Sequence, residues 1–141
     1  NKKVPFVVTG GLAAKSYGSP RELNDIDIDI PDKCLDKIVD NIKPYIVFGP
    51  ANFKDKKWDL MLITLNHEGQ EIDLSGGDSL KINNPNNGKW ENYPTNFTNT
   101  INREIFGITV PVIRPEDLID YKSLLDGDHQ KIDIEAIKKS R

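Results

Sequence analysis

The 141-residue chain has one cysteine, one methionine and two histidines. Cys34 has no second cysteine to pair with, so no internal disulfide supports the fold, and a reducing, cytoplasmic setting is expected. It is expected on the core side of a helix. His67 and His129 are too few and too distant to form a zinc ligand set, and each reads as a solvated turn or loop residue. No apolar run approaches the roughly 20 residues that span a bilayer, and no signal peptide is visible. The net charge of −3 and a pI near 5.4 rule out a global basic field of the kind a general nucleic-acid binder carries. A local basic groove stays open. The chain is 37% hydrophobic and 29% charged, enough to pack a core. Its length fits one domain, residues 1–141. It starts at Asn1 rather than Met and enters an apolar run by Val4, so an incomplete N-terminus is expected.

What the chain does have is Asp25-Ile26-Asp27-Ile28-Asp29-Ile30, acid and isoleucine in strict alternation. That is the pattern of a strand with one buried and one open face. Neighbouring aspartates on the open face lie about 6.6 Å apart and repel, which a divalent cation with oxygen ligands relieves. The plainer alternative is an edge strand guarded by charge. Asp25 and Asp27 are close enough to share an ion. Asp29, about 13 Å from Asp25 along the strand, is too far to join the same compact cluster. A two-metal site needs a further acid from another strand. Asp73, alone between Ile72 and Leu74, is the first candidate, and Asp59 the second.

Upstream, Val8-Thr9-Gly10-Gly11 is a strand running into a double glycine and a short helix over residues 12–17. Backbone N–H groups there could cradle a phosphate, or the pair is simply a tight turn. Neither a G-x-G-x-x-G nor a P-loop lysine is present.

The remaining elements follow from periodicity and breakers. Strands are expected over residues 4–9, 45–48, 58–65, 70–74 and 106–113, with turns at Gly49-Pro50 and at residues 66–69. Pro31 starts a helix with an apolar stripe of Leu35, Ile38, Val39 and Ile42. Further helices are expected from residue 114 to about 125 and from 131 to 139. Residues 76–100 read as a long loop with room for a short strand or helical turn. Trp90 and Tyr93 in it are candidates for stacking or for anchoring the loop. Ser75-Gly76-Gly77 is either a second phosphate loop or, more simply, a turn. The fold class is α/β (α+β), a mixed β-sheet flanked by helices.

Gly10-Gly11, Arg21 and Asp25-Ile26-Asp27-Ile28 together resemble the signature of the nucleotidyltransferase superfamily that includes DNA polymerase β. Within it the spacing is similar to small bacterial and archaeal members, including those of type IV toxin–antitoxin systems and lincosamide nucleotidyltransferases. Residues 114–122, ending in Lys122, and residues 131–137, carrying Asp133, resemble the family's C-terminal passage. The resemblance covers about residues 6–30, 70–75 and 110–138. Leu23 departs from it, standing where many relatives carry Thr or Ser.

The resemblance implies transfer of a nucleoside monophosphate from a nucleoside triphosphate to a hydroxyl, with release of pyrophosphate. It implies two Mg²⁺ ions, with Mn²⁺ as a substitute, held by Asp25, Asp27 and Asp73, the catalytic acids. Thr9, Gly10, Gly11, Arg21 and Lys122 would bind the nucleotide. Arg21 has a surface ion pair with Glu22 or Asp25 as its alternative role, Lys122 a solvated helix position, and Asp133 a capping or bracing role. The acceptor would be a small molecule, an RNA end or a protein side chain. A second copy of the chain or a toxin–antitoxin partner is the alternative kind of partner.

Overall fold

The computed structural model describes residues 4–140. The expected N-terminal extension lies outside the described residues. Strand β1 (Val7–Thr9) leads through Gly10 into α1 (Gly10–Ser16), followed by β2 (Asp25–Ile30) and α2 (Asp32–Ile42). Then come β3 (Ile46–Lys54), β4 (Trp58–His67), β5 (Gln70–Gly76), β6 (Lys81–Asn83) and β7 (Trp90–Asn92). The hairpin of β8 (Ile101–Ile105) and β9 (Ile108–Val112) precedes α3 (Pro115–Lys122) and α4 (Asp128–Lys139). The strands form one mixed sheet in the order β7-β6-β4-β5-β2-β1-β9-β8, with β3 on the other edge of β4. The pairs β2–β5 and β1–β9 are parallel, and the rest are antiparallel.

The alternation in β2 works as its sequence requires. Ile28 and Ile30 join Ile63, Leu65 and Leu74 against Cys34 and Leu35 of α2. Val8 and Val112 pack with Leu12, Ala13, Leu118 and Ile137 from the other three helices. Ile63, Leu118, Ile137 and Val112 are fully buried, and each contributes roughly 1.5–3 kcal/mol of apolar transfer energy. The aspartates are left on the opposite face. β2 is paired on both sides, so its acids do not guard a free edge.

Two segments depart from the sequence expectations. Gly49-Pro50 does not end a strand, since β3 runs through it. Its register with β4 shifts at Phe48 and again before Ala51. An edge strand tolerates this, because a proline facing outward removes no ladder hydrogen bond. Residues 106–107 form a turn rather than the start of a strand. Ile105 pairs with Ile108, and Phe106 and Gly107 both have positive φ (52° and 80°), as two-residue hairpin turns require. The strand before that turn, Ile-Asn-Arg-Glu-Ile, has three exposed polar residues and lacks an apolar signal. Residues 76–100 carry two short strands, β6 and β7. Pro31 caps α2 from just outside, while Pro115 opens α3 with Glu116 and Asp117 in its first turn, where acids complement the helix dipole. No helix among the described residues is long and apolar enough to cross a membrane.

Candidate active site

Sheet register decides which acids meet. Thr9 pairs with Asp27, Asp27 with Asp73, and Asp73 with Thr64, giving one cross-strand row. Directly paired residues share a face, and adjacent strands are about 4.8 Å apart. One step along, Asp25 pairs with Glu71. One carboxylate oxygen each from Asp25, Glu71 and Asp73 lies within 4.8 Å of the other two. Glu71 was not among the acids nominated from sequence, although alternation from Asp73 places it on the same face. Asp59 falls on the opposite face by the same alternation and is hydrogen-bonded by Asn52 Nδ2 at 3.0 Å. It is excluded as the third acid.

Asp25, Asp27, Asp29 and Asp73 line a cleft of about 640 Å³. Trp58, Leu60, Leu62 and Tyr93 line its apolar side. The site is electrostatically strained. Burial, then the charges of Asp25, Asp73 and Asp29, push the Asp27 carboxyl up to about 8. Burial and Asp73 also raise Asp25, and Asp73 raises Glu71. Such a set gains by taking up a divalent cation, which prefers carboxylate oxygens and replaces mutual repulsion with attraction. Thr64 Oγ1 donates to Asp73 Oδ1 at 2.7 Å and fixes that carboxylate.

Asp29 is not solvated. It is buried, receives a hydrogen bond from Thr95 Oγ1 at 2.7 Å, and burial raises its carboxyl to about 6. It anchors the 93–97 segment beside the cleft. Gly76 and Gly77 are buried where a Cβ at Gly77 would strike Thr95 and Phe97, so the Ser75-Gly76-Gly77 stretch is a packed strand end. Trp90 packs with Lys54, whose Nζ is 5.0 Å from its ring.

At the double glycine, Gly10 has φ +61°, and a Cβ there would overlap the Asp27 carboxylate. Only glycine lets the turn pass this close to the acid. Gly10→Ala is therefore expected to displace Asp27, lowering both melting temperature and metal affinity. Unchanged Mn²⁺ binding and unchanged melting would contradict this reading. The Gly10 N–H donates to Tyr121 Oη at 2.6 Å. Burial and the charges of Asp27 and Asp29 hold that phenol well above its ordinary range, so it stays protonated.

Arg21 and Lys122 converge on a residue expected only to brace a helix. Asp133 of α4 is fully buried. It accepts from Arg21 Nε at 2.9 Å and Nη2 at 2.6 Å, from Ser19 Oγ at 2.6 Å, and pairs with Lys122 Nζ at 2.9 Å. Burial pushes its carboxyl up, but the bonds from Arg21, Ser19 and Lys122 outweigh this and hold it at about 2. Arg21 thus pairs with Asp133 rather than with Glu22 or Asp25, and Lys122 is buried rather than solvated. Both still line the cleft. Three unlike segments, residues 19–21, α3 and α4, are tied together at this carboxylate. His129, read as a solvated loop residue, is exposed but also lines the cleft, at the start of α4.

No family model matches the chain, and no curated protein matches it. Solved structures do. TM1012 from Thermotoga maritima, a candidate nucleotidyltransferase, aligns with TM-score 0.70 and 23% identity over 99% of this chain and 83% of its own. The lincosamide antibiotic adenylyltransferase LnuA, solved with lincomycin bound, aligns with TM-score 0.62 and 18% identity over 99% and 89%. With the mixed sheet and its four helices, these alignments give the chain a nucleotidyltransferase-like fold.

Proposed function

We propose that the chain is a nucleotidyltransferase, residues 1–141 forming one catalytic domain that acts in the cytoplasm. It transfers a nucleoside monophosphate from a nucleoside triphosphate, ATP among the candidates, to a hydroxyl acceptor. The acceptor oxygen bonds to the α-phosphorus, the bond from that phosphorus to the β-phosphate bridging oxygen breaks, and pyrophosphate leaves with the electron pair. The observation that carries this reading is the row Thr9–Asp27–Asp73–Thr64 beside the Gly10-Gly11 turn, with Asp25 and Glu71 one step away.

The donor set, all hard carboxylate oxygens, with Asp25 and Asp27 raised in proton affinity, fits Mg²⁺ or Mn²⁺. Asp25, Asp27 and Asp73 would hold two such ions, with Glu71 beside them. Bound there, the ions supply charge neutralisation at the phosphates and make the acceptor hydroxyl more acidic. The protein's own groups do the rest. Asp73, steadied by Thr64, takes the hydroxyl proton. Thr9 and Gly11 would face the β- and γ-phosphates, while Gly10, whose N–H is given to Tyr121 Oη, holds the turn beside them. Arg21, Lys122 and Asp133 sum to one positive charge, which offsets part of the polyphosphate charge while staying fixed in place. The likeness to LnuA, with lincomycin bound, makes a small hydroxylated molecule the first acceptor class to test.

The test uses one triphosphate labelled at either the α- or the γ-phosphorus, with Mg²⁺ and separate small-molecule and RNA fractions. Label from the α-position should appear on the acceptor, and label from the γ-position should appear in pyrophosphate. Transfer of the γ-label to the acceptor would mean a kinase and overturn the reading.

A further inference from the structure

Polyphosphate in this cleft meets few cationic side chains. Among the described residues lining it, the arginine and lysine are Arg21 and Lys122, and both are already bonded to Asp133. Lys122 Nζ gives another N–H to Gln130 Oε1 at 2.9 Å. An ammonium only donates, so this bond fixes which end of the Gln130 amide is the oxygen. The Gln130 nitrogen, 3.1 Å from His129 Nε2, is then the donor, and Nε2 accepts. A neutral imidazole that accepts at Nε2 carries its proton on Nδ1. Gly127 makes room for the ring, since a Cβ there would lie 2.6 Å from its Cε1 and 2.7 Å from its Nδ1. The chain Asp133–Lys122–Gln130–His129 therefore runs from a buried carboxylate to an exposed imidazole on the cleft wall.

We propose that His129 is a phosphate-binding residue, its imidazole N–H taking the polyphosphate of the nucleotide while Gln130 holds the ring in place. This rests on the nucleotidyl-transfer reading and adds to it a contact that the motif positions do not include. It also gives Gln130 a role: a short, oriented link between the buried cations and the cleft wall. His129 is exposed, so replacing it leaves the core untouched.

The test is calorimetric titration with inorganic tripolyphosphate and Mg²⁺ of the wild type, His129→Ala and His129→Lys, with nucleotide KM and kcat measured beside it. His129→Ala should weaken tripolyphosphate binding about tenfold, the size of one charge-assisted hydrogen bond. It should raise KM for the triphosphate with little change in kcat. His129→Lys cannot accept from Gln130 but restores a donor and adds a positive charge, so recovered affinity would identify phosphate contact rather than packing. Wild-type affinity in His129→Ala overturns the inference and leaves the transferase reading standing. A wild type that binds no tripolyphosphate with Mg²⁺ overturns both.

Discussion

Asp27→Asn is expected to lower nucleotidyl transfer by at least about 10³-fold, the rate equivalent of about 4 kcal/mol. The metal-free protein should become more stable, not less. Asp27 sits in the centre of the acid row, with Asp25 and Asp29 on its own strand and Asp73 paired beside it. Its carboxyl, pushed up to about 8, shows how poorly this place holds a charge without a cation. Asn has the same shape and keeps clear of Gly10, but it is neutral in both folded and unfolded chains, so folding no longer has to protonate a carboxyl there, and it lacks the oxygen that would ligate. The two effects have opposite signs, and a residue important only for folding could not produce both. Activity and the metal-free melting temperature measured on the same preparation check it. Full activity, or a drop in melting temperature matching the loss of activity, would go against the assignment.

Asp133→Asn is expected to destabilise the protein by about 3–5 kcal/mol, because it leaves cations without their buried partner. For a chain of this length that is a fall in melting temperature on the order of 10 °C. Lys122 is buried, and both Lys122 and Arg21 depend on this one carboxylate. The effect carries a pH signature of definite sign. The carboxyl is held at about 2 in the folded protein, below its ordinary value of 3.8. The stability it contributes is therefore fully present above the ordinary value and is lost as pH falls through about 2. The gap in stability between wild type and Asp133→Asn should be constant from neutral pH down to about 4, then shrink. A gap that persists unchanged to pH 2 would contradict the ionised network. Since Asp133 holds both Arg21 and Lys122, the variant should also bind the triphosphate more weakly where it remains folded.

The acid strand and the glycine turn were legible from sequence because each is a local pattern, whereas the acid on a second strand was narrowed only to Asp73 and Asp59. Alternation assigns faces, and a lone acid between two apolar residues declares itself. What sequence could not supply was register. The pairing of β2 with β5 brings Glu71 to Asp25, and period-two alternation from Asp73 already placed it on the right face. Asp59 satisfied the same local rule as Asp73 but lies on the wrong face, so local rules could not choose between them. The Asp133 network joins residues more than a hundred positions apart, and no short-range pattern encodes it. β8 and the strand through Gly49-Pro50 were missed for a different reason. Edge strands need neither an apolar face on both sides nor every ladder bond, so polar residues and proline are admitted there.

The most direct test of the central claim is calorimetric titration with non-hydrolysable ATP, GTP, CTP and UTP analogues, each with and without Mg²⁺. Wild type and the Asp25→Asn/Asp27→Asn variant should be compared. The account predicts that at least one triphosphate binds with Mg²⁺, that binding without it is far weaker, and that the double variant loses the metal-dependent part. Binding of equal strength with and without Mg²⁺, or undiminished in the double variant, would contradict a metal-dependent nucleotide site on this sheet face.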